Sequence, residues 1–166
     1  MNKQITLGVM GQVNHGKKTL INAINSSTDN NYEYINFETN KELTSRNIDT
    51  AILVVDVLEG TMTQTREQIL TAKQLGIKNI IVFINKCDNI NNKDLINEVK
   101  YLVVDLLFAY GYNEEDISII TGSALKAIEG KKEDIEKIIE LTTKINKITP
   151  NNKKSKKLIK NHYELI

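Results

Sequence analysis

The stretch that decides the fold is Gly11-Gln12-Val13-Asn14-His15-Gly16-Lys17-Lys18-Thr19. An alternating apolar run at residues 5–10 precedes it, and apolar residues at helical spacing follow it at 20–24. This order predicts a strand, a glycine-containing loop and a helix. Glycines let several backbone N–H groups approach one polyphosphate, and the positive end of the helix dipole faces the same anion. The stretch therefore indicates a phosphate-binding loop, with a glycine-punctuated turn before a helix as the alternative.

The second half of this loop contains the candidate phosphate-binding residues. Lys17 is expected to reach the terminal phosphates as a point charge. The complete pattern for such loops is G-x-x-x-x-G-K-[ST], and its last hydroxyl holds Mg²⁺. Lys18 occupies that hydroxyl position, so we expect weak dependence on Mg²⁺ and assign no metal ligand. The predicted phosphate-binding residues are Asn14, His15, Gly16, Lys17, Lys18 and Thr19.

Length and composition are those of one soluble globular domain. The chain has 166 residues, of which 40% are hydrophobic and 26% charged. Its 22 Lys and Arg against 21 Asp and Glu argue against a surface devoted to nucleic acid or membrane. The single cysteine, Cys87, excludes an internal disulfide, and no apolar run reaches the roughly 20 residues of a membrane span. We expect a cytoplasmic protein without a membrane partner.

Strand patterns alternate with helix patterns along the chain. This alternation predicts an α/β fold, with a mostly parallel sheet and helices on both faces. Leu70, Leu102 and Ile139 are among the apolar residues expected on the buried faces of the helices. The predicted strands are at 5–10, 32–37, 51–55, 79–84 and 117–120, and the predicted helices at 20–24, 63–75, 95–110 and 133–148.

Three distinctive loops each follow a predicted strand. They begin at Gly11, Asn85 and Ser123. The carboxyl ends of parallel strands share one edge of a sheet, and ligands bind there in open α/β folds. We therefore expect the three loops to meet at one rim.

The motifs of the chain, taken in order, resemble the GTP-binding domain of elongation factor Tu. They are the loop at 11–20, TMTQTREQI at 61–69, NKCD at 85–88 and GSALKAIEG at 122–130. The resemblance implies a P-loop NTPase-like three-layer sandwich that binds GTP or GDP. It also matches Thr19 to a hydroxyl that contacts the first phosphate.

The same resemblance implies how the base would be recognised. Asn85 and Asp88 would hydrogen-bond the guanine edge, and the stem of Lys86 would pack over the ring. A backbone N–H of the loop at 123–125 would face the guanine carbonyl oxygen. The guanine-binding residues implied are Asn85, Lys86, Asp88, Ser123, Ala124 and Leu125.

Departures from the family bear directly on catalysis. Only residues 26–31 span the gap in which the family has a long Mg²⁺-binding switch. The second switch, Asp-x-x-Gly followed by a histidine, is reduced to NFETN at 36–40. The chain ends at Ile166, so we expect none of the domains that follow in the family. We assign no catalytic residue and expect a GTP hydrolase of translation whose activity is weak or lost.

Two alternatives to an impaired GTPase stay open. One is a binding module that contacts translation components without nucleotide switching, and the other is a degenerate gene product.

Residues 1–148 form the single predicted domain, and residues 149–166 a basic tail with five lysines. Such a cluster could contact RNA, although a solvated terminus is the simpler interpretation.

Three side chains near these motifs receive plain interpretations. Asp56, at the end of a predicted strand, is expected to be a turn carboxylate rather than a metal ligand. His15 is expected to act through its backbone more than through its ring. Cys87 is expected to be a packing residue and not a nucleophile.

Overall fold

The structure is a computed structural model that describes residues 4–37, 48–61 and 63–164. The strands are β1 (Thr6–Met10), β2 (Glu33–Asn36), β3 (Thr50–Asp56), β4 (Ile80–Asn85) and β5 (Ile117–Thr121). The helices are α1 (Lys17–Ser27), α2 (Thr63–Gln74), α3 (Lys93–Ala109), α4 (Ala124–Ile128) and α5 (Lys132–Glu164). The described strands form one sheet in the order β2-β1-β3-β4-β5, and every neighbouring pair is parallel. The predicted α/β fold is confirmed.

Two hydrophobic clusters lie on opposite faces of the sheet. On one face, Ala51, Leu53 and Val55 of β3 pack with α2 and α3. On the other face, Ile52 and Val54 pack with α1, α4 and α5. Because side chains alternate between the faces of a strand, this pattern produces three layers.

The central strands β3 and β4 are buried along their whole lengths. Their continuous apolar runs are typical of parallel strands that are covered on both faces. Each run ends in a buried polar residue, Asp56 on β3 and Asn85 on β4, and these two residues are paired in register. The sheet therefore places two polar side chains next to each other at its carboxyl edge.

The helices differ from the sequence prediction in their length and in their exposed faces. α5 continues to Glu164 rather than ending at Ile148, and it passes through Pro150. Proline removes one helical hydrogen bond, but its φ is compatible with a helix. Three residues predicted inside are exposed at the surface: Leu70 by 44%, Leu102 by 53% and Ile139 by 46%. Within the described ranges, no helix has both the length and the apolar character needed to cross a membrane.

Part of the sequence prediction falls outside the described residues. The weakly patterned segment 38–47 is one such part, and it contains the last three residues of the reduced second switch, 38–40. Met62, within the motif at 61–69, is another.

Candidate functional site

Asn85, the last residue of β4, joins the three predicted loops. Its Nδ2 donates to the His15 carbonyl oxygen at 3.0 Å, and its Oδ1 accepts the Ala124 N–H at 3.0 Å. Asn85 is only 3% exposed, so both bonds are shielded from water. The structure thus brings the loop after β1, the end of β4 and the loop after β5 to one rim of the sheet.

The two glycines of the phosphate loop are required by packing inside the protein. Gly16 has φ of 103°, and a Cβ on it would lie 2.3 Å from Asn85 Nδ2. Gly11 has φ of 141°, and a Cβ on it would lie 2.4 Å from the Val54 carbonyl oxygen. Any larger residue at either position would meet both a clash and a strained backbone. The loop therefore lies directly against β3 and β4.

Two lysines begin α1, where positive charge is unfavourable. Lys17 and Lys18 occupy a first turn that has no acidic residue, although the partial positive charge of a helix N-terminus repels cations. Lys17 is 8% exposed, and its ammonium donates to the Gly11 carbonyl oxygen at 2.6 Å and to that of Gln12 at 3.5 Å. Lys18 is exposed. A bound anion would offset this local accumulation of positive charge.

The backbone of the loop offers hydrogen-bond donors to a ligand. In the described part of the chain, the N–H groups of Asn14, Gly16 and Lys18 have no acceptor. Asn14 and Gly16 are both in the left-handed region, with φ of 70° and 103°. Left-handed residues in a tight turn are typical of the backbone nests that bind anions. Thr19, which is half-buried, follows in the first turn of α1.

The ring of His15 makes contacts of its own, in addition to the backbone contact between its carbonyl oxygen and Asn85. The imidazole is fully buried, its Nδ1 accepts the Asp56 N–H at 3.2 Å, and its Nε2 lies 2.6 Å from Glu59 Oε2. Because Nδ1 is an acceptor, Nε2 carries the proton and donates it to Glu59. The ring therefore fixes the loop to the segment after β3.

Lys86 has two protein partners in the structure. Its ammonium donates to the Asn14 carbonyl oxygen at 2.5 Å and pairs with Asp56 Oδ2 at 3.1 Å. The other carboxylate oxygen of Asp56 accepts the Leu58 N–H at 2.9 Å, which is the turn role that the sequence predicts. The ion pair is not predicted by the sequence. It holds the Lys86 side chain across the rim, between the base tetrad and the phosphate loop.

Gln68 of α2 contacts the phosphate loop and was missed by the sequence analysis. Its Oε1 accepts the Gly11 N–H at 2.6 Å. Its Nε2 and the Oε1 of Gln12 are buried, and neither has a hydrogen-bond partner among the residues described. The available signal was the motif at 61–69, but nothing in that motif marks position 68 as facing the loop.

Asp88 lies beyond Lys86 in a short 3₁₀ turn, Cys87–Asn89. Its carboxylate is half-buried and has no hydrogen bond or ion pair with any residue of the described ranges. The pKa of Lys126 is raised mainly by its hydrogen bond to Glu129 and, to a smaller extent, by the charge of Asp88. Asp88 thus lies near the loop after β5, with both carboxylate oxygens available to accept N–H groups.

The segment 123–125, which the sequence predicts as a loop, consists of the N-cap residue Ser123 and the first residues of α4. The Oγ of Ser123 accepts the Lys126 N–H at 3.2 Å, and the Ser123 N–H donates to Asp134 Oδ1 at 2.9 Å. Since the Ala124 N–H is also bonded, the N–H of Leu125 is the donor of this segment that has no acceptor among the described residues. Leu125 directly precedes Lys126, the residue whose pKa the charge of Asp88 helps to raise.

Cys87 packs against the hydrophobic core on the α3 side of the sheet. Burial raises the pKa of its thiol, and its Sγ donates to the Ile84 carbonyl oxygen at 3.3 Å. A raised pKa lowers the thiolate fraction, which is the reactive form. The interpretation of Cys87 as a packing residue is supported.

The residues present do not fit the Mg²⁺ site of a complete phosphate loop. Lys18 replaces the hydroxyl ligand with a cation. Across the described ranges, no three His, Cys, Asp or Glu side chains are grouped so that they could hold a metal ion. The carboxylate of Asp56, whose N–H bonds to the His15 ring, is paired with Lys86 and with the backbone of its own turn.

A parallel α/β sheet with a glycine loop between β1 and α1, and with polar loops at the same edge, defines a P-loop nucleotide-binding domain. The family model described as the elongation factor Tu GTP binding domain matches residues 34–151. The match covers more than two thirds of the chain, and the protein belongs to this family. The phosphate loop precedes the matched range, so its assignment depends on its own pattern and geometry.

Proposed function

We propose that the protein binds GTP or GDP along this rim and hydrolyses GTP slowly or not at all. The observation that carries the proposal is the pair of buried hydrogen bonds made by Asn85. These bonds fix the phosphate loop, the base tetrad and the segment at 123–125 relative to one another. Preorganised sites avoid the free energy of ordering loops on binding.

The phosphate chain is assigned to the loop at 11–19. The free N–H groups of Asn14, Gly16 and Lys18 donate to phosphate oxygens, and the ammonium of Lys17 lies close enough to the loop to reach the terminal phosphates. Thr19 contacts the first phosphate. The positive N-terminus of α1 adds a favourable interaction with the same charge.

The guanine base is assigned to the opposite side of Asn85. Asp88 accepts the two N–H groups of the guanine edge, and the Leu125 N–H donates to the guanine carbonyl oxygen. Asn85 contributes its second Nδ2 proton to the same edge, because its first is bonded to His15 and its Oδ1 to Ala124. The stem of Lys86 covers one face of the ring. Adenine has an amino group where guanine has this oxygen, so it leaves buried donors and acceptors unpaired and is rejected by on the order of 10⁴-fold.

Slow hydrolysis follows from the charge at position 18. Phosphoryl transfer depends on positioning and on Mg²⁺ that bridges the last two phosphates. An ammonium about 4 Å from a metal would be repelled by roughly 4 kcal/mol per unit charge at an effective dielectric near 20. The short segment at 26–31 removes a second source of metal ligands.

Family membership makes translation components the candidate protein partners. The lysines of the tail at 149–166 make RNA a candidate for electrostatic contact. The cytoplasm is the compartment that we propose for the protein. Hydrogen bonds fix the phosphate loop to Gln68, Glu59 and Asn85. A loop that is held in this way favours the second candidate function, a module that holds a nucleotide without switching.

A competition titration tests the proposal. The protein is titrated with a fluorescent GDP analogue, with Mg²⁺ or with EDTA, and unlabelled GDP, GTP and ATP compete for the site. We expect the analogue to bind saturably and to be displaced by GDP and GTP. ATP is expected to displace it at least about 100-fold less well, and EDTA is expected to change its dissociation constant by less than about threefold. Equal displacement by ATP would overturn the base site, and rapid Mg²⁺-dependent GTP turnover would overturn slow hydrolysis.

A further inference from the structure

β5 is an edge strand whose outer side is open. It pairs with β4 on one side, and no described residue makes a backbone hydrogen bond with its other side. Its sequence, ISIIT, contains no charged residue, proline or glycine. Natural edge strands use such residues, or a bulge, to prevent pairing with another chain. β5 has none of these protective residues.

The direction of its free backbone groups follows from the residue after the strand. Gly122 bonds both its N–H and its carbonyl oxygen to the β4 side. The N–H and C=O of one residue point to the same side, and the sides alternate along a strand. Three residues therefore direct their backbone groups outward: Ile117, Ile119 and Thr121.

A second copy of this chain matches that edge in one symmetric register. When two β5 strands pair antiparallel about a two-fold axis at Ile119, Ile117 of each copy faces Thr121 of the other. Every outward N–H and C=O of the strand then has a partner. A two-fold axis at any other residue leaves some of these groups unpaired.

α5 has charges that fit the same symmetry. A groove of about 380 Å³ lies between β5 and α5, and the residues that line it are Ile119, Ile120, Glu140, Thr143, Lys144 and Lys147. An axis that passes between Thr143 and Lys144 brings Glu140 of each copy opposite Lys147 of the other. Ile119 lines the same groove as these residues of α5, so we place the strand pairing and the helix pairing on one axis.

Glu140 is available for a new partner. In one copy it pairs with Lys137 at 3.4 Å, and both side chains are exposed. Exposed pairs of this kind contribute little to stability, so exchanging one for a pair across the axis costs little.

We propose that the protein forms a symmetric dimer through β5, with one continuous sheet and the two α5 helices antiparallel on one of its faces. The contact uses the same surface on both copies, as two-fold interfaces do. The proposal is independent of nucleotide binding.

Charge reversal at the two ends of the groove tests it. Glu140→Lys places two positive charges opposite each other at each end, and Lys147→Glu places two negative charges there. Each variant alone is expected to stay near the monomer mass of 18.8 kDa, while the wild type approaches twice that value as its concentration rises. An equimolar mixture of the two variants restores opposite charges across the axis and is expected to recover the doubled mass. Sedimentation velocity measures all four samples.

Glu98→Lys, on the exposed side of α3, is the matched control and is expected to dimerise like the wild type. Circular dichroism verifies that each variant is folded. A wild type that stays monomeric at all concentrations would overturn the dimer. Variants that dimerise alone, or a mixture that does not recover the doubled mass, would overturn the proposed axis.

Discussion

The close approach of Gly16 to Asn85 predicts strong coupling between mutations at these positions. Gly16→Ala places a Cβ 2.3 Å from Asn85 Nδ2, so Asn85 has to leave its partners on His15 and Ala124. Each buried group that loses its partner costs about 1–3 kcal/mol. The positive φ adds about 1–2 kcal/mol. The variant is therefore expected to lower the free energy of unfolding by about 3–8 kcal/mol.

Asn85→Ala removes the same two hydrogen bonds and is expected to cost about 2–6 kcal/mol. The double variant loses these bonds only once, so it is expected to cost about 3–8 kcal/mol rather than the sum of the single costs. Urea unfolding of the wild type, both single variants and the double variant gives the coupling free energy. An osmolyte that favours the folded state keeps the least stable proteins measurable.

Gly76→Ala is the matched control for backbone strain. Gly76 has φ of 77°, and a Cβ on it would meet nothing within 4 Å. This change is expected to cost about 1–2 kcal/mol and to be additive with Asn85→Ala within about 0.5 kcal/mol. Additive costs for the Gly16 and Asn85 changes would refute the idea that Asn85 requires glycine at position 16.

Further expectations concern the metal, the base and the buried tyrosines. Lys18→Thr is expected to make GDP affinity rise at least about tenfold on addition of Mg²⁺, measured by fluorescence, and an unchanged response would contradict the role of Lys18. Asp88→Asn is expected to weaken GDP binding by about 10²–10⁴-fold and to leave the affinity for ADP unchanged. An intact preference for GDP over ADP would refute the base site. Burial raises the pKa of Tyr32, Tyr34 and Tyr112 to about 12. Since the folded state keeps these protons above the ordinary value of 10, the free energy of unfolding should fall as pH rises from 10 to 12. Tyrosinate absorbance and urea unfolding measure this, and ionisation of all tyrosines near pH 10 would contradict it.

The sheet and the meeting of the loops could be predicted from the sequence. β3 and β4 are long β-branched runs that end in Asp56 and Asn85, and parallel strands place all such ends at one edge. The α/β class and the shared rim need only this alternation.

The side-chain contacts at the rim could not be predicted in the same way. The bonds of His15 to Asp56 and Glu59 require β3 to lie beside β1, which the order of elements along the chain does not specify. The contact of Gln68 with the loop depends on the rotation of α2 about its axis, which a single motif does not determine.

Helix periodicity also predicted more buried residues on the helices than the structure buries. Leu70, Leu102 and Ile139 continue the apolar stripes of their helices, but the sheet covers only the centre of each stripe. The predicted end of α5 at Ile148 was wrong, and the helix continues through Pro150. Proline interrupts one hydrogen bond without forcing the backbone out of a helix.

NMR spectroscopy of the labelled protein during a GDP titration tests the central claim most directly. The account predicts that the backbone amide signals of Gly16, Lys86 and Leu125 all shift and saturate with one dissociation constant, because one nucleotide contacts all three loops. Shifts confined to one loop, or separate dissociation constants for the phosphate loop and the loop at 123–125, would contradict the account.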